Sequence, residues 1–244
     1  MSDEINNSVD PIMDDLFSGY ITDVQNEVTL PSKGIGYSNN LKKVSIRIMT
    51  FDDEKAIAEA SQSSNMIDLL ISRCVPEIDT DELYTQDKLF LLFKIRELSY
   101  GSKVKLAAAC KFCSNTNDLE IDLSELPVDY VDDSFSPIKE VVLPDLGKTI
   151  KIRLPRSADS EYMESKGTIF DNLWRFIPQL DKYSDPSFIV KAIKKMSSKD
   201  LRYILEVLNT TEFGLQNEAR FVCSSCRKEN VVTVPIAESF FTVS

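Results

Sequence analysis

Cys110-Lys111-Phe112-Cys113 and Cys223-Ser224-Ser225-Cys226 decide how this chain is read. They are two CxxC turns separated by about half the chain, and they hold four of its five cysteines. A CxxC turn aims two sulfurs at one point, and two such turns supply the four thiolates of a tetrahedral Zn²⁺ site. Strand-like sequence flanks each turn. Val104 and Leu106 lead into the first, and Leu119, Ile121 and Leu123 alternate on the way out. Ala219-Arg220-Phe221-Val222 approaches the second, and Val231-Val232-Thr233-Val234 leaves it. Strand, metal turn, strand is half of a zinc ribbon. Cys110, Cys113, Cys223 and Cys226 are therefore the expected ligands of one structural Zn²⁺, and residues 114–222 an excursion from a closed clasp. Neither pair opens a helix, the setting that activates a redox CxxC. Four protein ligands leave no position for water, so the expected site is structural and not catalytic. Beyond these two segments no other internal repeat is read.

Before the first pair the chain is helical. Thr85-Gln86-Asp87 opens a helix in which Leu89, Phe90, Leu91, Leu92, Phe93, Ile95 and Leu98 are apolar around most of the circumference. Such a helix is buried on several sides and is the expected centre of the core. Gly101 is its expected C-terminal cap. Further upstream, Val44-Ser45-Ile46-Arg47-Ile48 alternates as a half-buried strand. Thr50 then caps a helix beginning Phe51-Asp52-Asp53-Glu54 and running to about Ala60, its acids favoured by the helix dipole. Another helix spans roughly 64–74 and stops at Pro76; Cys74, the odd cysteine, reads as a core residue. Pro31, Gly34 and Gly36 mark a tight turn.

After the first pair, 124–137 reads as a loop, and Val141–Leu143 with Ile150–Leu154 as a hairpin. A helical block follows over about 157–208. Ile169, Phe170, Leu173, Trp174 and Ile177 share one face, with Gly167 interrupting that helix. Phe188, Ile189, Ala192, Ile193 and Met196 share another. Ser198 caps a third helix carrying Leu201, Ile204, Leu205 and Leu208.

Composition removes several function classes. With 244 residues, 43% of them hydrophobic, the chain suits one or two domains with a real core. No run of 18 apolar residues offers a membrane span, and the acidic start Met1-Ser2-Asp3-Glu4 is unlike a signal peptide. A reducing cytoplasm is the expected compartment. Net charge is −11, and residues 1–30 hold seven carboxylates with no Lys or Arg. Bare phosphate backbone is therefore disfavoured as a partner. Ile12, Met13, Leu16, Phe17 and Tyr20 recur at helical spacing in that acidic tail, which reads as solvated chain or as a segment that folds on a basic or apolar partner.

There is no histidine, which excludes His-based triads and HExxH metal sites. Gly147-Lys148-Thr149 lacks the earlier glycine of a phosphate loop, since Val142 stands there. The pairs Asp52-Asp53 and Asp132-Asp133 read as solvated surface. Lys191, Lys194, Lys195, Lys199 and Arg202 read as a solvated helix face, with a docking patch for an acidic partner as the alternative.

The order of short motifs resembles a known family. Leu30-Pro31-Ser32-Lys33-Gly34 is followed by Met49-Thr50-Phe51-Asp52-Asp53-Glu54, then Asp87-Lys88-Leu89-Phe90-Leu91-Leu92, then Ile95-Arg96-Glu97-Leu98-Ser99-Tyr100-Gly101 with a CxxC just beyond. Over roughly residues 28–240 this resembles the baseplate hub subunit and hub assembly factor group of T4-type contractile-tail bacteriophages. The resemblance implies a non-enzymatic protein that builds the central hub of the baseplate, as an assembly chaperone or a structural subunit. It implies other hub or tail proteins as partners, and action in the cytoplasm of the infected host, with retention in the virion left open. It supplies no partner-binding residues. A zinc-ribbon nucleic-acid-binding or transcription-related module is the alternative, because Lys103, Lys105, Lys111, Arg220, Arg227 and Lys228 surround the cysteines.

The expected fold is α+β: a mostly helical core, a small antiparallel sheet, and a four-cysteine zinc ribbon built from two distant CxxC hairpins. The expected divisions are an acidic, flexible tail (1–28), an N-terminal strand and helical core (29–101), the first half of the ribbon (102–126), a loop and hairpin (127–156), a helical subdomain (157–210), and the second half of the ribbon with a C-terminal strand (211–244).

Overall fold

The computed structural model describes residues 26–60, 66–159, 162, 168–210, 212–236 and 238–241. The readings of the acidic tail before Asn26, its amphipathic spacing, and the interruption at Gly167 lie outside the described residues.

The architecture is α+β. A hairpin of β1 (Asn26–Thr29) and β2 (Lys43–Ile46) precedes three helices, α1 (Phe51–Ala60), α2 (Met66–Cys74) and α3 (Thr85–Tyr100). The first CxxC hairpin follows, β3 (Lys103–Ala109) and β4 (Thr116–Asp122). After β5 (Val128–Asp129) comes a hairpin of β6 (Ile138–Val142) and β7 (Thr149–Arg153). Then come the helical turn α4 (Ile169–Asn172), β8 (Gln179–Leu180), and helices α5 (Pro186–Ile193) and α6 (Ser198–Asn209). Strand β9 (Gly214–Leu215) leads to the second CxxC hairpin, β10 (Glu218–Val222) and β11 (Glu229–Thr233).

The strands pair antiparallel in five small sheets among the described residues: the two CxxC hairpins, as expected, and three further sheets where one was expected. Two differences have simple causes. Strand β1 begins at Asn26, inside the stretch read as tail; four residues with only Val28 turned to the core carry too little alternation to be legible. Within 124–137, Val128 and Asp129 pair with Leu215 and Gly214, a contact between distant segments that no local pattern announces.

Two hydrophobic cores form. The larger is centred on α3, whose Phe90, Leu91, Leu92, Phe93 and Ile95 are all buried. Each such side chain contributes roughly 1.5–3 kcal/mol when removed from water. Gly101, at φ 86°, ends α3 as expected, its N–H bonding Glu97 O. Hairpin β1–β2, Ile71 and Cys74 of α2, and Leu215, Val234, Phe240 and Phe241 from the distant end of the chain complete this core. Burial pushes the Cys74 thiol up to about 12, as suits an inert core cysteine. The second core joins hairpin β6–β7 to the later helices through Leu143, Ile150, Ile152, Leu173, Phe176, Ile189, Ile204 and Leu208. Strands and helices therefore share both cores.

The internal repeat extends far beyond the CxxC segments. The interval that separates Cys110 from Cys223 also separates Glu27-Val28 and Leu30-Pro31 from Glu140-Val141 and Leu143-Pro144, Asp87 from Asp200, Gly101 from Gly214, and Asn117 from Asn230. The structure repeats with the sequence. Val28 pairs with Val44 and Asn26 with Ile46, as Val141 pairs with Ile150 and Lys139 with Ile152. Arg47 Nη1 and Nη2 clamp the Asp53 carboxylate at 2.6 and 3.0 Å, as Arg153 clamps Asp159 at 2.8 and 2.7 Å. Thr50 N–H and Arg156 N–H donate to those same carboxylates, and a second arginine approaches each, Arg73 at 2.5 Å and Arg175 at 3.5 Å.

Asp53 is fully buried, so its reading as solvated surface is corrected; Asp52 beside it is exposed as expected. Burial alone would push both clamped carboxyls up, but the hydrogen bonds from arginine and backbone N–H outweigh it and hold them below the ordinary carboxylate value. Helix starts repeat too. Asp87 at the start of α3 accepts from Ser32 N at 3.0 Å and from the Ser32 hydroxyl. Asp200 at the start of α6 accepts from Asp145 N and Leu146 N at 2.8 and 3.2 Å. The cap of α6 is Ser197, one residue before the expected Ser198.

Candidate metal centre

The two CxxC hairpins meet. Each begins on an antiparallel pair, Lys103–Ala109 with Thr116–Asp122 and Glu218–Val222 with Glu229–Thr233. Each turn closes in the same way. Ser114 N donates to Cys110 O and Cys110 N to Asn115 O; Arg227 N donates to Cys223 O and Cys223 N to Lys228 O. Ser114 and Arg227 both adopt positive φ, 60° and 61°. These tight turns point all four sulfurs into one space.

All four Sγ atoms lie within 4.8 Å of one another. Two approaches cross between the hairpins: Cys110 to Cys226 at 3.6 Å and Cys113 to Cys223 at 3.7 Å. A tetrahedron with sulfurs about 2.3 Å from a central ion sets S···S at about 3.8 Å. A disulfide needs about 2.0 Å, and all four thiols are free. The expected ligand residues are thus brought together as one group able to hold a metal ion. Cys110 and Cys223 are buried, Cys226 is half-buried and Cys113 is exposed, so the group sits at the rim of the protein.

Hydrogen bonds support the sulfurs symmetrically. Asn230 Nδ2 lies 3.4 Å from Cys110 Sγ, and its Oδ1 accepts from Lys111 N at 3.0 Å. Asn117 Nδ2 lies 3.8 Å from Cys223 Sγ, and its Oδ1 accepts from Ser224 N at 2.9 Å. Each asparagine thus positions the CxxC turn of the other half. Sequence reading missed both, although both pairs read CxxC-x-x-x-Asn.

The thiols divide electrostatically. Burial would raise Cys110, but N–H groups of Phe112 and Cys113 and the Asn230 amide pull it down. The Cys226 N–H is the main cause holding Cys223 at about 6. Lys228 N–H lowers Cys226, yet burial and the crowding of Cys113, Cys110 and Cys223 push it up to about 11. Four sulfurs this close carry all their negative charge together only when a cation shares the space.

Two of the six basic residues around the cysteines face acids. Lys103 pairs with Glu120 at 2.8 Å, Arg220 lies 3.5 Å from Glu229, and Lys228 Nζ sits over the Phe112 ring. Among the described residues no helix is long and apolar enough to cross a membrane.

An α+β fold whose two repeated halves are tied by a four-cysteine centre is the class this geometry defines. The chain belongs to the T4 bacteriophage base plate protein family, whose model matches residues 23–242. A structural or assembly role in the phage tail baseplate, in contact with other tail proteins, follows from that membership. No curated protein and no solved structure matches the chain significantly.

Proposed function

We propose that this protein is a non-enzymatic component of the central hub of the baseplate, acting in hub assembly as a chaperone or structural subunit in the infected host. The family match supports the baseplate, and the order of motifs from Leu30 to Cys113 supports the hub within it. One observation carries the physical side of the reading: a centre made of four cysteines joins the two ends of a long excursion. Zn²⁺ fits this donor set, because four thiolates at tetrahedral spacing suit a soft ion with no preference for further ligands. Cys110, Cys113, Cys223 and Cys226 hold it. Bound there, the ion offsets half of the charge of the four thiolates and locks hairpin β3–β4 to hairpin β10–β11; the fully protein-ligated set supports a staple and not a reaction centre. Absence of histidine supports the non-enzymatic reading. Pairing of the ribbon's Lys103 and Arg220 with acids weakens the nucleic-acid alternative.

Affinity capture of the tagged protein from infected cells, followed by mass spectrometry, tests the assignment. Co-recovery of hub proteins is expected. Recovery of outer baseplate proteins without hub proteins, or of no tail proteins, contradicts it.

A further inference from the structure

A tetrahedral ion needs four sulfurs at one spacing and no particular pairing among them. The hydrogen bonds around this centre nevertheless impose one. Cys110 Sγ takes the Asn230 amide at 3.4 Å and stands 3.6 Å from Cys226 Sγ. Cys223 Sγ takes the Asn117 amide at 3.8 Å and stands 3.7 Å from Cys113 Sγ. Each buried sulfur is thus drawn toward the opposite hairpin. Its neighbour there is an outer sulfur: Cys113 is exposed and Cys226 half-buried.

The backbone of each turn is pinned. Ser114 N–H donates to Cys110 O, and Arg227 N–H to Cys223 O. Lys111 N–H and Ser224 N–H, inside the two turns, are tied to Asn230 and Asn117. Drawing Cys110 onto Cys113, or Cys223 onto Cys226, has to tighten a turn already fixed at its end and its middle. Drawing the cross pairs together needs only side-chain rotation and a small approach of two hairpins. A sulfur–sulfur bond is about 2.0 Å long, so each gap closes by roughly 1.7 Å.

We propose that the centre is also a redox site, at which a peroxide bonds Cys110 to Cys226 and Cys113 to Cys223, so that the halves stay joined without the ion. The displaced ion rests on the zinc reading above, the pairing on the sulfur geometry alone. In each pair a peroxide takes two electrons from the outer thiolate, giving a sulfenic acid and one hydroxide. The inner thiolate then attacks that sulfur, forms the S–S bond and expels a second hydroxide. Two peroxides convert four thiolates into two disulfides and four hydroxides. In a reducing cytoplasm the sulfurs hold the metal; in an oxidising medium they hold one another. The new bonds link residues 116 and 110 positions apart, and long loops such as these restrict an unfolded chain most. Cys74 takes no part, because it is buried in the larger core.

The test treats the purified full chain with hydrogen peroxide, after its zinc content has been measured. The thiol count in denaturant is expected to fall from five to one, leaving Cys74. Trypsin cuts after Lys111 and separates Cys110 from Cys113, and fragmentation between Ser224 and Ser225 separates Cys223 from Cys226. Mass spectrometry without reductant is expected to find Cys110 linked to Cys226 and Cys113 to Cys223 within one chain. Bonds within either CxxC turn, a Cys110–Cys223 bond, bonds between chains, or thiols that stay reduced overturn the proposal. The zinc staple and the redox pairing fail separately. A chain that holds no zinc yet forms these two bonds keeps the redox site and loses the staple; a zinc-loaded chain that bonds within its CxxC turns does the reverse.

Discussion

Asn230 holds Cys110 and Asn117 holds Cys223, each asparagine reaching across to a cysteine of the other half at 3.4 and 3.8 Å. The centre is therefore a shared object: each CxxC turn closes on its own backbone and is held in place by the asparagine of the other half. This reciprocity gives the four sulfurs their common position, and with it the relative placement of everything attached to the two hairpins.

Replacing either asparagine by alanine is expected to cost about 1–3 kcal/mol, because a backbone N–H, that of Ser224 or Lys111, loses its acceptor. The two variants are expected to match within about 1 kcal/mol in urea denaturation. A large loss for one and none for the other breaks the equivalence of the halves.

The arginine clamps predict acid sensitivity. Asp53 and Asp159 are both held below the ordinary value in the fold. Their contribution is complete above the unfolded value of about 3.9, and is lost as pH falls through that value toward the folded one. Asp53→Asn is expected to cost about 2–3 kcal/mol at pH 7. That is below the usual penalty for breaking a buried pair, because Arg47 and Arg73 are partly exposed and solvent screens them. Urea midpoints from pH 2 to 7 check this: the variant loses much of the wild-type slope below pH 4.

Asp87 carries the opposite sign. It is buried among Ser32 and Tyr37 with no cation against it among the described residues, and burial raises its carboxyl above the ordinary value despite their hydrogen bonds. Its contribution is present below about pH 3.9 and is lost as pH rises through the raised folded value. Asp87→Asn is therefore expected to remove a decline in stability on the neutral side of pH 4, measured as the slope of urea midpoints between pH 4 and 8. An unchanged slope contradicts this.

Equivalent turn glycines predict unequal penalties. Gly34 and Gly147 both have positive φ, 72° and 65°. A Cβ on Gly34 would stand 2.5 Å from Leu41 O, whereas one on Gly147 meets open space. Gly147→Ala is expected to cost about 1–2 kcal/mol for conformation alone, and Gly34→Ala clearly more, since backbone must move. Equal thermal shifts count against the close approach of Leu41 to Gly34.

Much of this was legible in the sequence, for identifiable reasons. The CxxC pairs are local signals with fixed spacing, and α3 announces itself through a run from Leu89 to Leu98 that is apolar on most sides. The repeat was hidden because residues 35–41 and helix α5 shift the spacing between matched motifs, so that Arg47 and Arg153 fall out of step with Cys110 and Cys223. Asp53, Asp87 and Asp200 were concealed by habit of position: acids in a helix's first turn are ordinary on a surface, and only the tertiary donors from Arg47, Ser32 and Asp145 reveal their burial. Asn117 and Asn230 carried a signal, their shared spacing after each CxxC, that becomes visible when the halves are aligned.

The central claim is that one zinc ion held by four cysteines staples the halves. Metal analysis of the purified chain, paired with thermal unfolding of Cys110→Ser and Cys223→Ser, tests it most directly. The account predicts one zinc per chain, lost in both variants, with severe destabilisation, since structural zinc contributes on the order of 10 kcal/mol to folding. A metal-free chain, or variants that keep the wild-type melting temperature, would contradict it.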